Sequence, residues 1–295
     1  MVQKILNEGE PMSVEQILDT AVKAVMVLLA VYVVLTMGEG LFPNVKRRYI
    51  RRSYADRGLC RAGNRLTENS VSAVLAAAQK GYGSRIDVRL TSDRVPVAFA
   101  DPDLQRACGD SRRISELTLE ELSGIPVFGN ARVATLEEIL SAVSSLQEPV
   151  PLLLTLHPDC QGKKAIYAFC SDVTSVFYPH RRICMVESAD TDVIHFYMVS
   201  YSNIVRGLRM ESRDESALSE KEYREVSRML RNMKTRPQFF DTTAELYSLF
   251  YWVPVTMGAF LIMREIRGEE ERAQDRNKYR ADAFVFTEGE PKATF

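Results

Sequence analysis

The sequence predicts an α/β chain: a TIM-type (β/α)8 barrel preceded by an N-terminal transmembrane helix. Three observations predict it. Strand-like and helix-like runs alternate through roughly 240 residues and give about eight strands. Segments such as "VPLLLTLHPD" are nearly continuous apolar runs, as expected of a parallel strand covered on both faces. From Ala24 to Gly38 the text "AVMVLLAVYVVLTMG" carries no charge at all. The composition of the 295 residues, 46% hydrophobic and 26% charged, is that of a globular protein with room for one large domain and an appendage.

Ser13 followed by Gln16 forms a capping box that starts a helix near Val14 and carries it to about Met37. About 24 residues at roughly 1.5 Å each reach about 36 Å, enough to cross a hydrocarbon core of about 30 Å. Lys23 near one end is long enough to reach the interface. Two competing readings are a long helix that is buried or packed on a partner, and a cleaved signal peptide. The acidic start and the lack of an A-x-A site weigh against the second. Lys4, Glu8, Glu10, Glu15 and Asp19 precede the helix, and Lys46, Arg47, Arg48, Arg51 and Arg52 follow it. The positive-inside rule then gives a single-pass protein with its barrel in the cytoplasm. The Lys46–Arg52 cluster is expected against anionic headgroups, at about 1 kcal/mol per residue. The domain organisation expected is a tail over 1–13, the membrane helix over 14–38, a basic juxtamembrane linker over 39–53 and the barrel over 54–295.

The body follows in order. "SYADRGLC" is a strand ending in a glycine turn, and "ENSVSAVLAAAQKG" a helix with a glycine stop. "RIDVRLTSD" and "VPVAFAD" are strands. "TLEELSG" and "TLEEILSAVSSL" are helices, because Thr118 and Thr135 are each followed three residues later by an acid. Then come the strand "VPLLLTLHPD", the helix "KKAIYAFCSDVTSVF", the strand "RICMVESAD", the helix "DVIHFYMVSYSN" and the strand "IVRGLRMES". "SALSEKEYREVSRMLRNM" reads as one amphipathic helix, "PQFFDTT" as a strand, "REIRGEEERAQDRNKYR" as a charged helix and "ADAFVFTEG" as the last strand. A second uncharged run, Leu246 to Met263, is interrupted by Pro254 and reads as a buried strand passing into a helix. Contact with a membrane or with another chain, as in a homo-oligomer, stays open for it, and Trp252 within it is expected in core or rim packing.

Composition excludes some classes. A formal net charge of -1 gives no global field for nucleic acid. Cys60, Cys108, Cys160, Cys170 and Cys184 are an odd count with no C-x-x-C pair, which argues against a zinc site and a disulfide framework.

Four segments in order resemble the glycerophosphodiester phosphodiesterase family. Asp56-Arg57-Gly58 stands where the family has His-Arg-Gly, and Thr67-Glu68-Asn69-Ser70 where it has Pro-Glu-Asn-Thr. Arg85-Ile86-Asp87-Val88 stands for Glu-x-Asp-Val, followed by "SDRVPVAFADPDL" for the hairpin ending in His-Asp. Thr155-Leu156-His157 stands for Glu-x-Lys. "SRRISELTLEEL", "ARVATLEEIL" and the C-terminal "ADAFVFTEGEP" continue the likeness, which covers nearly everything from Tyr54 onward.

The resemblance implies two histidines for proton transfer and three carboxylates for a divalent metal that neutralises the phosphoryl oxygens. Here the histidine positions are Asp56 and Ala100, with Asp101 retained after the second. The carboxylate positions are Arg85, Asp87 and Thr155, so only Asp87 survives. His157, His180 and His195 stand at none of the catalytic positions. A guanidinium cannot ligate a metal. At about 4 Å and an effective dielectric near 20 it repels a divalent ion by roughly 8 kcal/mol. The expectation is a pseudoenzyme with no cofactor; calcium or magnesium enters only if an active, rearranged site exists. Two arrangements stay open for Arg85 and Asp87, which share one strand face. In one, Arg85 pairs with Asp87 and Asp56 in a salt-bridge network. In the other, Arg57, Arg85, Asp87 and His157 form a pocket for a phosphorylated small molecule or lipid headgroup. Glu68 and Asn69 are expected to cap the first barrel helix, and Asp101-Pro102 to mark a turn. The functions in play are therefore a membrane-anchored binder of a partner or phosphorylated ligand, a rearranged phosphodiesterase, and a structural membrane scaffold.

Overall fold

The computed structural model describes residues 13–60, 67–216 and 218–295; the expected tail, with Lys4, Glu8 and Glu10, lies outside them up to residue 12. The strands are β1 (Ser53–Asp56), β2 (Gly83–Leu90), β3 (Pro96–Ala98), β4 (Ala134–Thr135), β5 (Leu152–Leu156), β6 (Cys184–Ser188), β7 (Val205–Arg209), β8 (Phe239–Thr242), β9 (Phe260–Ile266) and β10 (Ala283–Phe286). β1, β2 and β5 to β10 run parallel and close on themselves, because β1 pairs with both β10 and β2. This is the TIM-type barrel the alternation predicts, with β3 and β4 added antiparallel on β2.

The period of two along each strand separates two apolar clusters. Outward residues such as Ala55, Ile86, Leu154, Val186, Leu208, Phe240, Leu261 and Phe284 pack under the surrounding helices. Inward residues Tyr54, Leu153, Met185, Val205, Phe239, Phe260 and Val285 fill the lower barrel. Two glycines make room for the largest of them. A Cβ at Gly83 would stand 2.4 Å from the Tyr54 ring, and one at Gly207 2.2 Å from the Phe239 ring. The helix starts behave as their sequences require: Ser70 caps Val71–Gln79, and Thr118 and Thr135 form complete capping boxes with Glu121 and Glu138.

Helix α1 spans Val14–Thr36 behind the Ser13–Gln16 capping box. It is the one described helix long and apolar enough to cross a membrane. Segment 39–53, read from the sequence as a linker, closes the barrel floor. Its Tyr49 is 1% exposed within the inward cluster. The Tyr49 hydroxyl donates to the Arg182 and Cys184 carbonyls at 3.1 and 3.2 Å, and Tyr54 donates to the Tyr49 carbonyl at 2.8 Å. The end of α1 is tied to the same floor: Asn232 donates to the Thr36 carbonyl at 2.7 Å, and Glu39 pairs with the buried Arg206.

Three local expectations are corrected. Leu246–Met263 runs in the opposite order, helical turns at Leu249–Tyr251 and Trp252–Thr256 and then β9, because barrel closure needs the strand to pair with β8 and β10. Arg264 to Ile266 accordingly belong to β9, and the charged helix begins at Glu269. The expected helix over 216–233 is broken into Glu220–Ser227 and Asn232–Thr235, with Met229 in the left-handed region at φ 61°.

Candidate functional site at the barrel mouth

The inward pattern that fills the lower barrel with apolar groups turns charged one step higher. On β1 it reads Tyr54 then Asp56; on β2, Gly83, Arg85 and Asp87; on β5, Leu153 and Thr155, with His157 beyond. On β6 it reads Met185 then Glu187; on β7, Val205, Gly207 and Arg209; on β8, Phe239 then Asp241; on β9, Ile262 then Arg264. Register aligns them: Asp56 lies beside Arg85, Asp87 beside Thr155, Thr155 beside Glu187, and Arg209 beside Asp241. These mouth residues lie toward the C-terminal side of the barrel, where this architecture places its sites.

Two coupled groups result. In the first, Arg85 Nε and Nη2 each lie 2.8 Å from Asp56 Oδ1, and Nη1 lies 3.8 Å from Asp241. Arg264 approaches the other Asp241 oxygen at 3.7 Å, so this fully buried carboxylate sits between two guanidiniums. In the second, His157 Nε2 bonds Asp87 Oδ1 at 2.8 Å, the Asn69 amide donates to Asp87 Oδ2 at 3.3 Å, and Arg57 Nε lies 3.2 Å from Asp87 Oδ2. The sequence therefore brings Asp56, Arg57, Arg85, Asp87 and His157 to one place. The direct partners of Arg85 are Asp56 and Asp241, while Asp87 is taken by Arg57 and His157. Arg57 itself stands at φ 57°, in a turn where Gly58 packs so closely on the following helix that a Cβ would meet Ala73 at 2.8 Å.

Burial opposes ionisation of Asp87, but the His157 hydrogen bond and the charges of Arg85 and Arg57 outweigh it and hold its carboxyl well below the usual range. Burial outweighs the Asp87 bond at His157 and lowers the imidazole below its ordinary value, so at neutral pH it is an uncharged donor to Asp87. Glu187 goes the other way. Burial first, then the neighbouring Asp241 charge, push it up to about 8, against Arg85, Arg209 and the Thr155 hydroxyl that donates to it at 2.7 Å.

The remaining expectations resolve as follows. Ser70, not Glu68 or Asn69, caps the first barrel helix. Glu68 instead accepts from Arg57 at 3.3 Å and from Arg106, while Asn69 orients Asp87. At Ala100 the backbone carbonyl accepts Arg89 Nη2 at 2.7 Å, and Asp101 holds Arg106 at 2.6 Å. Trp252 is 67% exposed and lies outside the core. Glu187, Arg209, Asp241 and Arg264 were not anticipated. Their signal is a charge inside a buried apolar strand, as in "CMVES" and "FFDT".

A divalent ion does not fit this set of residues. The Arg85 guanidinium occupies the position of one implied carboxylate, Thr155 replaces another, and both Asp87 oxygens are engaged. Among the described residues no three His, Cys, Asp or Glu side chains are placed to share an ion. Beside His157 lies a cavity of about 400 Å³ whose lining includes Arg89, Asp159, Asp190, Glu211 and Glu215.

Residues 61–193 match the model of the Glycerophosphoryl diester phosphodiesterase family. No curated protein sequence matches the chain. Among solved structures, an Oleispira antarctica phosphodiesterase in complex with the product sn-glycerol-3-phosphate is similar at TM-score 0.65 and 19% identity, covering 82% of this chain and 94% of that one. A Parabacteroides distasonis glycerophosphodiester phosphodiesterase is similar at TM-score 0.62 and 16% identity, over 81% and 93%. One from Thermotoga maritima is similar at 0.58 and 18%, over 79% and 93%.

Proposed function

For a chain that belongs to the glycerophosphoryl diester phosphodiesterase family by its residues 61–193, we propose a membrane-anchored, non-hydrolysing role in which the barrel mouth binds a partner. The observation that carries this reading is Arg85, seated 2.8 Å from Asp56 and 3.8 Å from Asp241. A fixed guanidinium supplies positive charge at this level, but it neither activates water nor ligates a second group. Asp56 is an acceptor tied to that guanidinium, so neither it nor Ala100 offers the proton chemistry the implied histidines would. Arg57, Arg85 and Arg89 are likewise spent on Glu68, Asp87, Asp56 and Asp159. Arg209 makes no ion pair among the described residues, but the cavity beside His157 carries four carboxylates that oppose an anionic ligand. A protein partner presenting basic groups suits this lining better than a phosphodiester.

One observation favours a second reading, residual hydrolysis by a rearranged site: the His157–Asp87 pair at 2.8 Å has the geometry of an acid–base dyad. The deciding experiment uses the full chain in detergent with glycerophosphodiesters and calcium, magnesium or manganese, and titrates sn-glycerol-3-phosphate by calorimetry. No turnover and no heat of binding are expected. Turnover abolished by Asp87→Ala or His157→Ala would overturn the non-hydrolysing role.

A further inference from the structure

The loop after β5 lines two cavities. Pro158 and Asp159 face the acidic cavity beside His157. Asp159 and Cys160 face a second cavity of about 260 Å³. The wall of the second cavity comes from Leu90 of β2 and from Ala165, Ala168 and Phe169 of the helix Lys163–Phe177. Arg94, in the turn between β2 and β3, bonds Asp172 of that helix at 2.7 Å, so an ion pair ties the two walls together. An apolar cavity and an acidic one thus share a single residue.

That residue is only half used. Asp159 Oδ1 accepts from Arg89 at 2.6 Å and from Arg113 at 3.4 Å, whereas Oδ2 is buried with no hydrogen-bond partner among the described residues. A buried acceptor left open is costly, and it marks where a donor belongs. In the acidic cavity Asp190 caps the helix Thr191–Ser200, and Glu215 accepts the Ser212 N–H at 3.2 Å. Glu211 makes no hydrogen bond or ion pair among the described residues, and burial pushes its carboxyl above the ordinary range. A cation placed there would relieve it.

We infer that the two cavities form one docking site for a segment of a protein partner that carries a basic residue beside an apolar one. The basic group enters the acidic cavity and donates to Glu211 and Asp159, and its neighbour enters the apolar cavity against Phe169 and Cys160. The inference rests on the partner-binding reading of the mouth and names what that partner presents. Charge complementarity fixes the first group, since the single arginine of the acidic cavity, Arg89, is already paired with Asp159. Adjacency fixes the second. Consecutive side chains of an extended segment point to opposite sides, as straddling the Pro158–Cys160 loop requires.

The test titrates the full chain in detergent with three peptides, read by ligand-observed NMR. They are acetyl-Leu-Lys-amide, acetyl-Leu-norleucine-amide without the ammonium, and acetyl-Gly-Lys-amide without the apolar side chain. Mass spectrometry follows iodoacetamide modification of Cys160 in parallel. The Leu-Lys peptide is expected to bind about tenfold more tightly than either of the others and to protect Cys160. Glu211→Gln should weaken it about fivefold and leave the norleucine peptide unchanged. Ala165→Trp, at an exposed position of the cavity wall, should weaken both leucine peptides and spare Gly-Lys. No binding by any of the three, or equal binding of Leu-Lys and Leu-norleucine, overturns the docking site. Equal binding of Leu-Lys and Gly-Lys with Cys160 unprotected overturns the pairing and leaves the acidic cavity a site for a bare cation. A dimer of the chain that the Leu-Lys peptide dissociates overturns the foreign partner in favour of a second copy. Turnover of a glycerophosphodiester with Leu-Lys binding intact overturns the non-hydrolysing role and leaves the docking site standing.

Discussion

Arg85→Met tests whether the mouth is held together by its ion network. The substitution keeps most of the side-chain volume and removes the charge. Asp56 then loses both contacts at 2.8 Å, and Asp241 loses one of its two flanking guanidiniums. The Arg85 side chain is 6% exposed and that of Asp241 0%, so water cannot take over their solvation. Removing one partner of a buried pair costs about 3–5 kcal/mol, because the surviving carboxylates stay buried and uncompensated. In a domain of this size each kcal/mol lowers the melting temperature by about 2–4 °C, so a fall of roughly 6–20 °C is expected. The assay is thermal unfolding of the full chain in detergent, followed by circular dichroism. Asp56→Asn in parallel should cost less, since Arg85 keeps Asp241. A melting temperature within about 2 °C of the wild type for Arg85→Met would refute the argument that this guanidinium neutralises the mouth.

Two further outcomes follow from the same architecture. Glu187 is raised to about 8 in the folded chain against an unfolded value of 4.5, so the folded state holds a proton that the unfolded state releases. Stability is full below the lower value and declines as pH rises through that window; Glu187→Gln should flatten the decline in melting temperature between about pH 5 and 8. Tyr49→Ala removes the floor plug and its two carbonyl contacts, an expected loss of about 3–5 kcal/mol by urea unfolding. A loss below about 1 kcal/mol would return segment 39–53 to the linker it was expected to be.

The barrel was legible because two periodicities in the sequence are consequences of its geometry. Alternation along β2 puts Arg85 and Asp87 on one face and Ile86 and Val88 on the other, and the chain folds accordingly. The capping threonines were legible for an equally local reason. What was not legible needed partners distant in sequence. Leu246–Met263 has the composition of a strand in its first half, yet the strand lies at its end, because only pairing with β8 and β10 fixes where β9 begins. Glu187, Asp241 and Arg264 each look like a charge at the edge of an apolar run. Closure alone shows that Asp241 and Glu187 come to Arg85 and that Arg264 comes to Asp241.

That convergence explains how the fold tolerates such a mouth. Asp56, Asp87, Glu187 and Asp241 arrive at neighbouring levels of one narrow interior, and like charges held in low dielectric repel strongly. The barrel relieves this in two ways at once. Arg57, Arg85 and Arg264 bring positive charge on the barrel strands and the turn beside them, and Glu187 retains its proton beside Asp241. The balance is therefore built from covalently fixed groups together with one retained proton. A mouth organised this way engages Arg57, Arg85 and Arg264 with carboxylates, while Arg209 makes no ion pair among the described residues. The cavity beside His157 remains open, and its acidic lining selects for what approaches it.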